Sequence, residues 1–433
     1  MKVLLVGNGA REHIIAEKLS AHAELYAVMS KRNPAIAKLA RQAWICDIEN
    51  AGAVASAIAG HRFDLGFASP DATLAAGVSD VLEKAGMPVA SPSRAASRIE
   101  WDKSFMRGLL AKYRIKGQPR HEVVKSSADA LRVIRDYGLV AVKPLGLTGG
   151  KGVRVSGDHF TKIEEKAAYA TFLIEKDGSV LIEEKLVGEE FTLQAFSDGS
   201  RIMAMPPVQD HKRAFEGDSG PNTGGMGSYS TGDLLPFMEQ RDLAEGKAIL
   251  QGVVDALKSE GTPFRGVLYG QFMATANGLK VIEFNARFGD PEAMNVLALL
   301  EGSLPDVFLS MAEGKLRPPK FSMDSTVVKY LVPHGYPDKP LKDAEISVDA
   351  AAARGMGASV YYASVYEKGG RIYTSSSRAV GILGRAKTID AAELVAEKAC
   401  ACVKGPVWHR RDIGTTALIG RRIEHMRSLR GNP

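Results

Sequence analysis

The chain has 433 residues, 45% apolar and 24% charged, enough to bury several cores and to form about three domains. Its 56 basic and 50 acidic residues leave a net charge of +6 with no block of like charge. That balance argues against a nucleic-acid arm and fits anionic small molecules as ligands. The apolar run of "MKVLLVG" is too short for a signal peptide, and no run approaches the roughly 20 apolar residues that span a bilayer. Three scattered cysteines, Cys46, Cys400 and Cys402, argue against a disulfide framework. The expectation is a cytoplasmic monomer that acts on small molecules, with no nucleic-acid or membrane partner.

In chain order, "KVLLVG" is an apolar run ending in glycine and predicts a buried parallel strand, with the helix "AREHIIAEKLSAH" after it. "ELYAVMS" is a second strand, "NPAIAKLARQ" and "AGAVASAIAGH" are helices, and "FDLGFAS" is a third strand. "LAAGVSDVLEKAG" is a helix and "MPVASPS" a fourth, short strand. This alternation predicts a doubly wound α/β domain over 1–98. "IEWDKSFMRGLLAKYRI" reads as helical. Helix "SADALRVIRDYG", strand "LVAVKPL", a glycine flap, helix "KIEEKAAYATFLI" and strand "SVLIEEKLV" follow, giving an α+β unit over 99–190. Strands dominate 191–325, interrupted by the helix "EQRDLAEGKAILQGVVDALKSEG". The remainder, 326–433, reads as a small α+β domain.

Four segments carry candidate chemistry. Gly7-Asn8-Gly9, between a strand and a helix, permits an anion to approach a helix N-terminus. Glu12 stands where a dinucleotide fingerprint needs its third glycine, and Lys31 and Arg32 leave an NADP enzyme as an alternative. In "VKPLGLTGGKGVRV", Lys143 and Lys151 enclose a stretch rich in glycine, with Gly149, Gly150 and Gly152 around the second lysine. The sequence departs from a Walker loop at Gly152, so the two lysines read as a phosphate clamp on a β-hairpin. In "VLIEEKLVGEE" a strand runs into a connector whose free backbone groups, from Glu183 and Glu184 to Lys185 and Leu186, suit the edge of a flat base such as adenine. The acids ending at Glu190 suit ribose hydroxyls.

The fourth segment is "GQFMATANGLKVIEFNARFGDPE". Asn277-Gly278 is a hairpin signal. Glu283 and Asn285 are two apart and leave one face of a strand, and Gln271 lies back across the hairpin. A carboxylate with two amide oxygens is a hard-oxygen set for Mg²⁺ or Mn²⁺ held together with phosphates. Arg287 continues the parity and places a guanidinium where a transferring phosphoryl group needs its charge neutralised. The polar loop "QDHKRAFEGDSGPNTGGMGSYS" adds Asp210, His211 and Lys212 and a glycine-rich run.

Together "GNGAREH", "KPLGLTGGKGV", "IEEKLVGEE", "QDHKRAFEGDSGPNTGGMGSYS", "VIEFNARFGDPE" and "WHRRDIG" resemble the glycinamide ribonucleotide synthetase family of the ATP-grasp superfamily, in that family's order over residues 7–414. The resemblance implies an N-terminal substrate domain, an ATP-grasp core of two subdomains and a small C-terminal domain. It implies a ligase that activates glycine with ATP as glycyl phosphate and passes the glycyl group to 5-phosphoribosylamine, in purine synthesis. It also implies that Lys103 and Lys143 hold ATP phosphates under the Lys151 loop, with Arg287 and Lys143 catalytic. Gly9, Arg11, Glu12, Asp210, Lys212, Asn222, Thr223, Gly224, Gly225 and Arg287 would meet phosphoribosylamine, glycine or the transferring phosphoryl. The chain departs from the family at Ala10, at "SKRNPAI", at Ser69-Pro70-Asp71 and at "PLGLTGG". Three of these four departures lie in the N-terminal domain and bear on the amine substrate.

Overall fold

A computed structural model describes residues 1–146 and 152–431. Gly149, Gly150 and Lys151 of the flap therefore lie outside the described residues. The N-terminal unit is a parallel sheet in the order Gln42–Ile45, Glu24–Met29, Lys2–Val6, Leu65–Ala68. Val3 to Val6 are fully buried, as a strand covered on both faces requires.

This sheet corrects the sequence reading at two points. Gln42–Ile45 is a strand, unread because it is half exposed at the sheet edge and carries no apolar run. "MPVASPS" supplies only a single bridge between Gly66 and Val89. Pro88 and Pro92 lack the N–H that a ladder needs. Two long helices are also split. Gly77, at φ +80°, separates Asp71–Ala75 from Val78–Lys84. Asp102 ends Arg94–Trp101 and caps Lys103–Lys112 through the Phe105 N–H.

A second unit is an antiparallel sheet in the order His121–Val124, Val180–Glu184, Val140–Lys143, Arg154–Val155. The helices Ser127–Tyr137 and Ile163–Asp177 back it, over a core of its own around Val133, Val142, Leu173 and Ile182. Lys143 is the last residue of its strand, so the flap leaves from the strand end.

The largest sheet has ten strands. Its main path runs Gly278–Asn285, Arg265–Thr275, Glu189–Asp198, Val208–Asp210, Gly227–Thr231, Ser325–Pro333, Val380–Ala386, Ala358–Tyr362. The predicted hairpin is present, with Gln271 opposite Glu283 and Tyr269 opposite Asn285. The helix Gln240–Ser259 packs an apolar stripe, including Leu250, Val253 and Leu257, over this sheet. The helices Glu292–Leu299 and Leu304–Ala312 were not read from sequence. Every residue of the first is buried, so no polar face marks a period. A smaller sheet of Glu345–Val348, Val365–Lys368, Arg371–Thr374 and Val403–Lys404 and the helices Ile389–Cys400 and Thr416–Arg430 complete the chain. Among the described residues no helix is long and apolar enough to cross a membrane, and the three cysteines are unbridged.

Candidate active site

A cavity of about 650 Å³ opens between the small antiparallel sheet and the ten-stranded sheet. Most of the sequence-predicted residues line it. Lys143, Glu183, Glu184, Lys185 and Leu186, from the small sheet and the connector after it, form one wall, and Glu190, Gln271, Glu283, Asn285 and Arg287, on or just beyond strands of the ten-stranded sheet, a second. Asp210, Lys212, Asn222, Thr223 and Gly224 come from the polar loop, and Arg11 from the N-terminal unit.

The remaining predicted residues sit differently. Lys103 stands behind the wall, where its Nζ donates to the Gly146 carbonyl at 3.0 Å. Burial, with Lys143 nearby, holds the Lys103 ammonium below its ordinary pKa against the pull of Glu283. Gly152 accepts from the Tyr169 hydroxyl at 2.9 Å. Gly9 and Glu12 are not among the cavity residues. The Glu12 carboxylate accepts from the Gly9 N–H and the Ser69 hydroxyl, both at 2.5 Å, and from Arg11 Nε at 2.6 Å. The turn that sequence reading opened to an external anion is thus closed by the chain's own carboxylate. Gly225 lies just beneath the surface at φ +105°. A Cβ there would stand 2.6 Å from Asp210 Oδ1 and 2.7 Å from Pro291 Cδ, so only glycine fits.

The adenine-edge reading needs free backbone groups, but Glu183 still lies within its strand, opposite His121 on one side and Ala141 on the other. Its carboxylate is buried between Arg107 at 2.7 Å and Lys143 at 2.6 Å. Burial pushes its pKa up, and the two cations more than offset this, leaving it below the ordinary range. The second guanidinium nitrogen of Arg107 also donates to the Val281 and Ile282 carbonyls, at 3.1 and 3.2 Å. Glu183 therefore aims Lys143 and ties the small sheet to the metal-candidate strand.

The second wall has the character of a cation site. Among the described residues neither the Glu283 carboxylate nor the Asn285 amide has a hydrogen-bond partner. Burial would raise the Glu283 pKa, but Lys212, Lys103, Lys143 and Arg287 bring it below the ordinary value. An ionised carboxylate beside an amide oxygen suits a hard divalent cation. Gln271 is already engaged: its Oε1 accepts from Lys212 Nζ and its Nε2 donates to Glu190 Oε2, each at 2.7 Å. Glu283 and Asn285 thus fit a metal directly, whereas Gln271 would have to exchange Lys212 for it. Among the described residues no group of three or more His, Cys, Asp or Glu is arranged to hold a metal.

Acids crowd the cavity floor. Burial and then Glu292 push the Asp210 carboxyl well above its usual range, against Lys212 and Arg378. Burial would lower the Lys212 ammonium, but Glu283, Glu190, Asp210 and Glu292 raise it, so it stays charged. Arg287 lies 3.1 Å from Glu100. Burial lifts that carboxyl to about 7 despite the guanidinium. His211 of the polar loop, whose imidazole would be the natural base here, is buried without a hydrogen bond on either ring nitrogen among the described residues. Burial drives its pKa down to about 3, so it is neutral at physiological pH and unsuited to general-base work.

Several cavity groups escaped sequence reading. Arg378 donates to the carbonyls of Gly224, Gly225 and Asp290, pairs with the Asp290 carboxylate at 3.0 Å and lies 4.4 Å from the Tyr330 ring centre. It fixes the glycine run of the polar loop. Glu292 accepts from the Tyr269 hydroxyl at 2.9 Å and from Thr192. Arg422 enters from the final helix. Nothing in a short window of sequence marks these residues, because their partners lie far along the chain.

Comparison with known proteins agrees with this geometry. Three family models match along the chain: the phosphoribosylglycinamide synthetase N domain over residues 1–100, its ATP-grasp (A) domain over 101–293 and its C domain over 326–416. A Methanosarcina acetivorans protein named phosphoribosylamine–glycine ligase is 51% identical, covering 100% of this chain and 98% of its own. One of the same name from Methanothermobacter thermautotrophicus is 49% identical over 99% of this chain and 100% of its own. The crystal structure of a Thermotoga maritima phosphoribosylamine–glycine ligase shares the fold at a TM-score of 0.82, with 24% identity, over 95% of this chain and 100% of that one. A biotin carboxylase domain from Hydrogenobacter thermophilus, solved with MgADP, shares it at 0.72 with 15% identity, over 98% and 93%. With matched models over 1–293 and 326–416 and relatives at about half identity along its whole length, the chain belongs to the phosphoribosylglycinamide synthetase family.

Proposed function

We propose that this protein joins glycine to 5-phosphoribosylamine with ATP, yielding glycinamide ribonucleotide, ADP and phosphate in purine synthesis. The observation that carries this reading is one cavity that gathers the strand-end lysine Lys143, the Glu183–Glu190 connector, the Glu283 and Asn285 pair and the Asp210–Gly225 loop. The names of its relatives support the same choice of substrates.

In this reading a glycine carboxylate oxygen attacks the γ-phosphorus of ATP and ADP leaves. The amine of phosphoribosylamine then attacks the carbonyl carbon of glycyl phosphate. Phosphate departs with the bonding pair and the nitrogen gives up a proton. Lys143 and Lys103 hold the phosphates, Arg287 balances charge on the phosphoryl oxygens, and Lys151 with Gly149, Gly150 and Gly152 covers them. Glu184 to Leu186 meet adenine and Glu190 the ribose. Arg11, Asp210, Lys212 and Asn222 to Gly225 hold glycine and the sugar amine. Glu283 and Asn285, with Gln271 after release from Lys212, would hold Mg²⁺ or Mn²⁺. Such an ion, when bound, supplies positive charge to the phosphate oxygens. Residues 1–98 serve the amine substrate, 99–190 and 191–325 the ATP-grasp core, and 326–433 the C-terminal domain. We place the protein in the cytoplasm as a monomer.

The test is ADP release measured with glycine, phosphoribosylamine and a divalent ion, each omitted in turn. Release should require all of them. Release with another carboxylate and amine, but not with these, would sink the assignment. Glu283→Ala should lower turnover about a thousandfold or more while the protein stays folded by circular dichroism. Near-normal turnover would remove the metal role from this strand.

A further inference from the structure

The helix Thr416–Arg430 begins where the matched family models end, yet it reaches the cavity. Thr415 caps it through the Leu418 N–H, and Leu418, Ile419 and Met426 bury one face. The same face carries Arg422, His425 and Arg430. Arg422 pairs with Glu189 Oε2 at 3.1 Å and with the Asp218 carboxylate. His425 Nδ1 lies 2.6 Å from Glu189 Oε1. Arg430 holds the other end of the helix, bonded to both Asp242 oxygens at 2.7 and 3.0 Å and to Glu239 at 3.0 Å.

Glu189 starts the strand whose next residue is Glu190, and both line the cavity with Asp218 of the polar loop. One guanidinium therefore spans two cavity walls. Without it, Asp218 would keep Arg410 at 3.0 Å and Glu189 would keep His425, but no single cation would join the two, and the repulsion between the facing carboxylates would loosen the strand from the polar loop. The pairing also sorts two adjacent acids. Arg422 and His425 take up Glu189, while Glu190 turns to Gln271 and the cavity.

We propose that the C-terminal helix is a clasp on the nucleotide end of the cavity, and that Arg422 is a positioning residue that sets the nucleotide wall against the polar loop through Glu189 and Asp218. The inference rests on the ATP-grasp reading of that wall, though not on the identity of the acceptor amine. The test is direct calorimetric binding of a non-hydrolysable ATP analogue to the full chain, which needs neither glycine nor phosphoribosylamine. A failed ligase assignment and a failed clasp are therefore told apart.

Arg422→Ala should weaken the analogue about tenfold, and Arg422→Lys, which keeps the charge but not the fork, about threefold. Arg430→Ala undoes only the far end of the helix and should lower the melting temperature while affinity stays within twofold. Combining Glu189→Gln with Arg422→Ala should cost less than the two separate losses together, because both break one contact. Affinity within twofold for Arg422→Ala overturns the proposal, as does an equal loss in Arg430→Ala. Should Arg422→Ala fail to fold, the same criteria are read on Arg422→Lys, with unchanged affinity as the refuting result.

Discussion

Replacing Glu183 by glutamine isolates the structural half of the phosphate clamp. The carboxylate is 3% exposed, and its partners Arg107 and Lys143 are 2% and 10% exposed. Glutamine keeps the shape but leaves two buried cations facing a neutral amide. Removing one member of a buried ion pair costs about 3–5 kcal/mol. Lys143 borders the cavity and can regain water, which favours the lower end, about 3 kcal/mol. At about 4–8 °C per kcal/mol for a unit of this size, the unit built on the small sheet should melt about 12–24 °C lower. The folded carboxyl sits below its ordinary pKa, so its contribution is complete above that ordinary value and fades as pH falls through the folded one. Wild type and Glu183→Gln should therefore converge in acid.

Lys143→Met leaves the Arg107–Glu183 pair intact. It should cost only about 1 kcal/mol of stability but lower ATP-analogue affinity about tenfold or more. Calorimetric melting from about pH 7 down to about pH 2, paired with binding titrations at neutral pH, reads both quantities. A Glu183→Gln protein that melts within 2 °C of wild type yet loses the nucleotide would refute the reasoning and place Glu183 on the ligand.

Two further outcomes follow from the site. Burial raises Glu100 to about 7, so the folded state holds a proton that the unfolded chain releases near the ordinary carboxylate pKa. Stability should therefore decline as pH rises from about 4.5 to 7, and Glu100→Gln should remove that slope in melts across the window; an unchanged slope would show that another group carries it. Gly225→Ala forces a Cβ against Asp210 and Pro291 at a positive φ, and should cost about 1–3 kcal/mol and lower kcat/KM for glycine. A variant with unchanged melting and kinetics would contradict the tight packing of that turn.

Much of this site was legible because strands alternate with period two. Glu283 and Asn285 share a face by parity alone, but the Asn277-Gly278 turn by itself would set Gln271 opposite Ile282; a β-bulge between Gln271 and Phe272, invisible in the sequence, shifts the register and brings Gln271 opposite Glu283. The βα alternation of the first hundred residues was legible for a similar reason: buried parallel strands are continuous apolar runs. What stayed hidden depends on distance. Arg107 meets Glu183 from 76 residues away, and Arg378 meets Gly224 from 154. An arginine in an otherwise apolar helix, or in "SSSRAVG", reads locally as a solvated charge. The Gly7-Asn8-Gly9 turn reads as open to an external anion because a helix start favours any anion, and sequence alone does not tell an external phosphate from the chain's own Glu12 carboxylate. Glu292–Leu299 lacked a period because it is covered on all sides.

The strand Ser325–Pro333 pairs with Gly227–Thr231 on one side and with Val380–Ala386 on the other. A chain cut at 325 would therefore not shed an appendage. It would strip the Gly227–Thr231 strand of its neighbour and bare a row of unsaturated amides that invites intermolecular stacking. Arg378, the brace of the glycine run, would be lost with the discarded piece. Gene fusions and circular permutants of this enzyme should accordingly be opened on surface turns such as Gly369-Gly370, where both backbones already adopt φ angles of +59° and +75° and a Cβ would meet nothing.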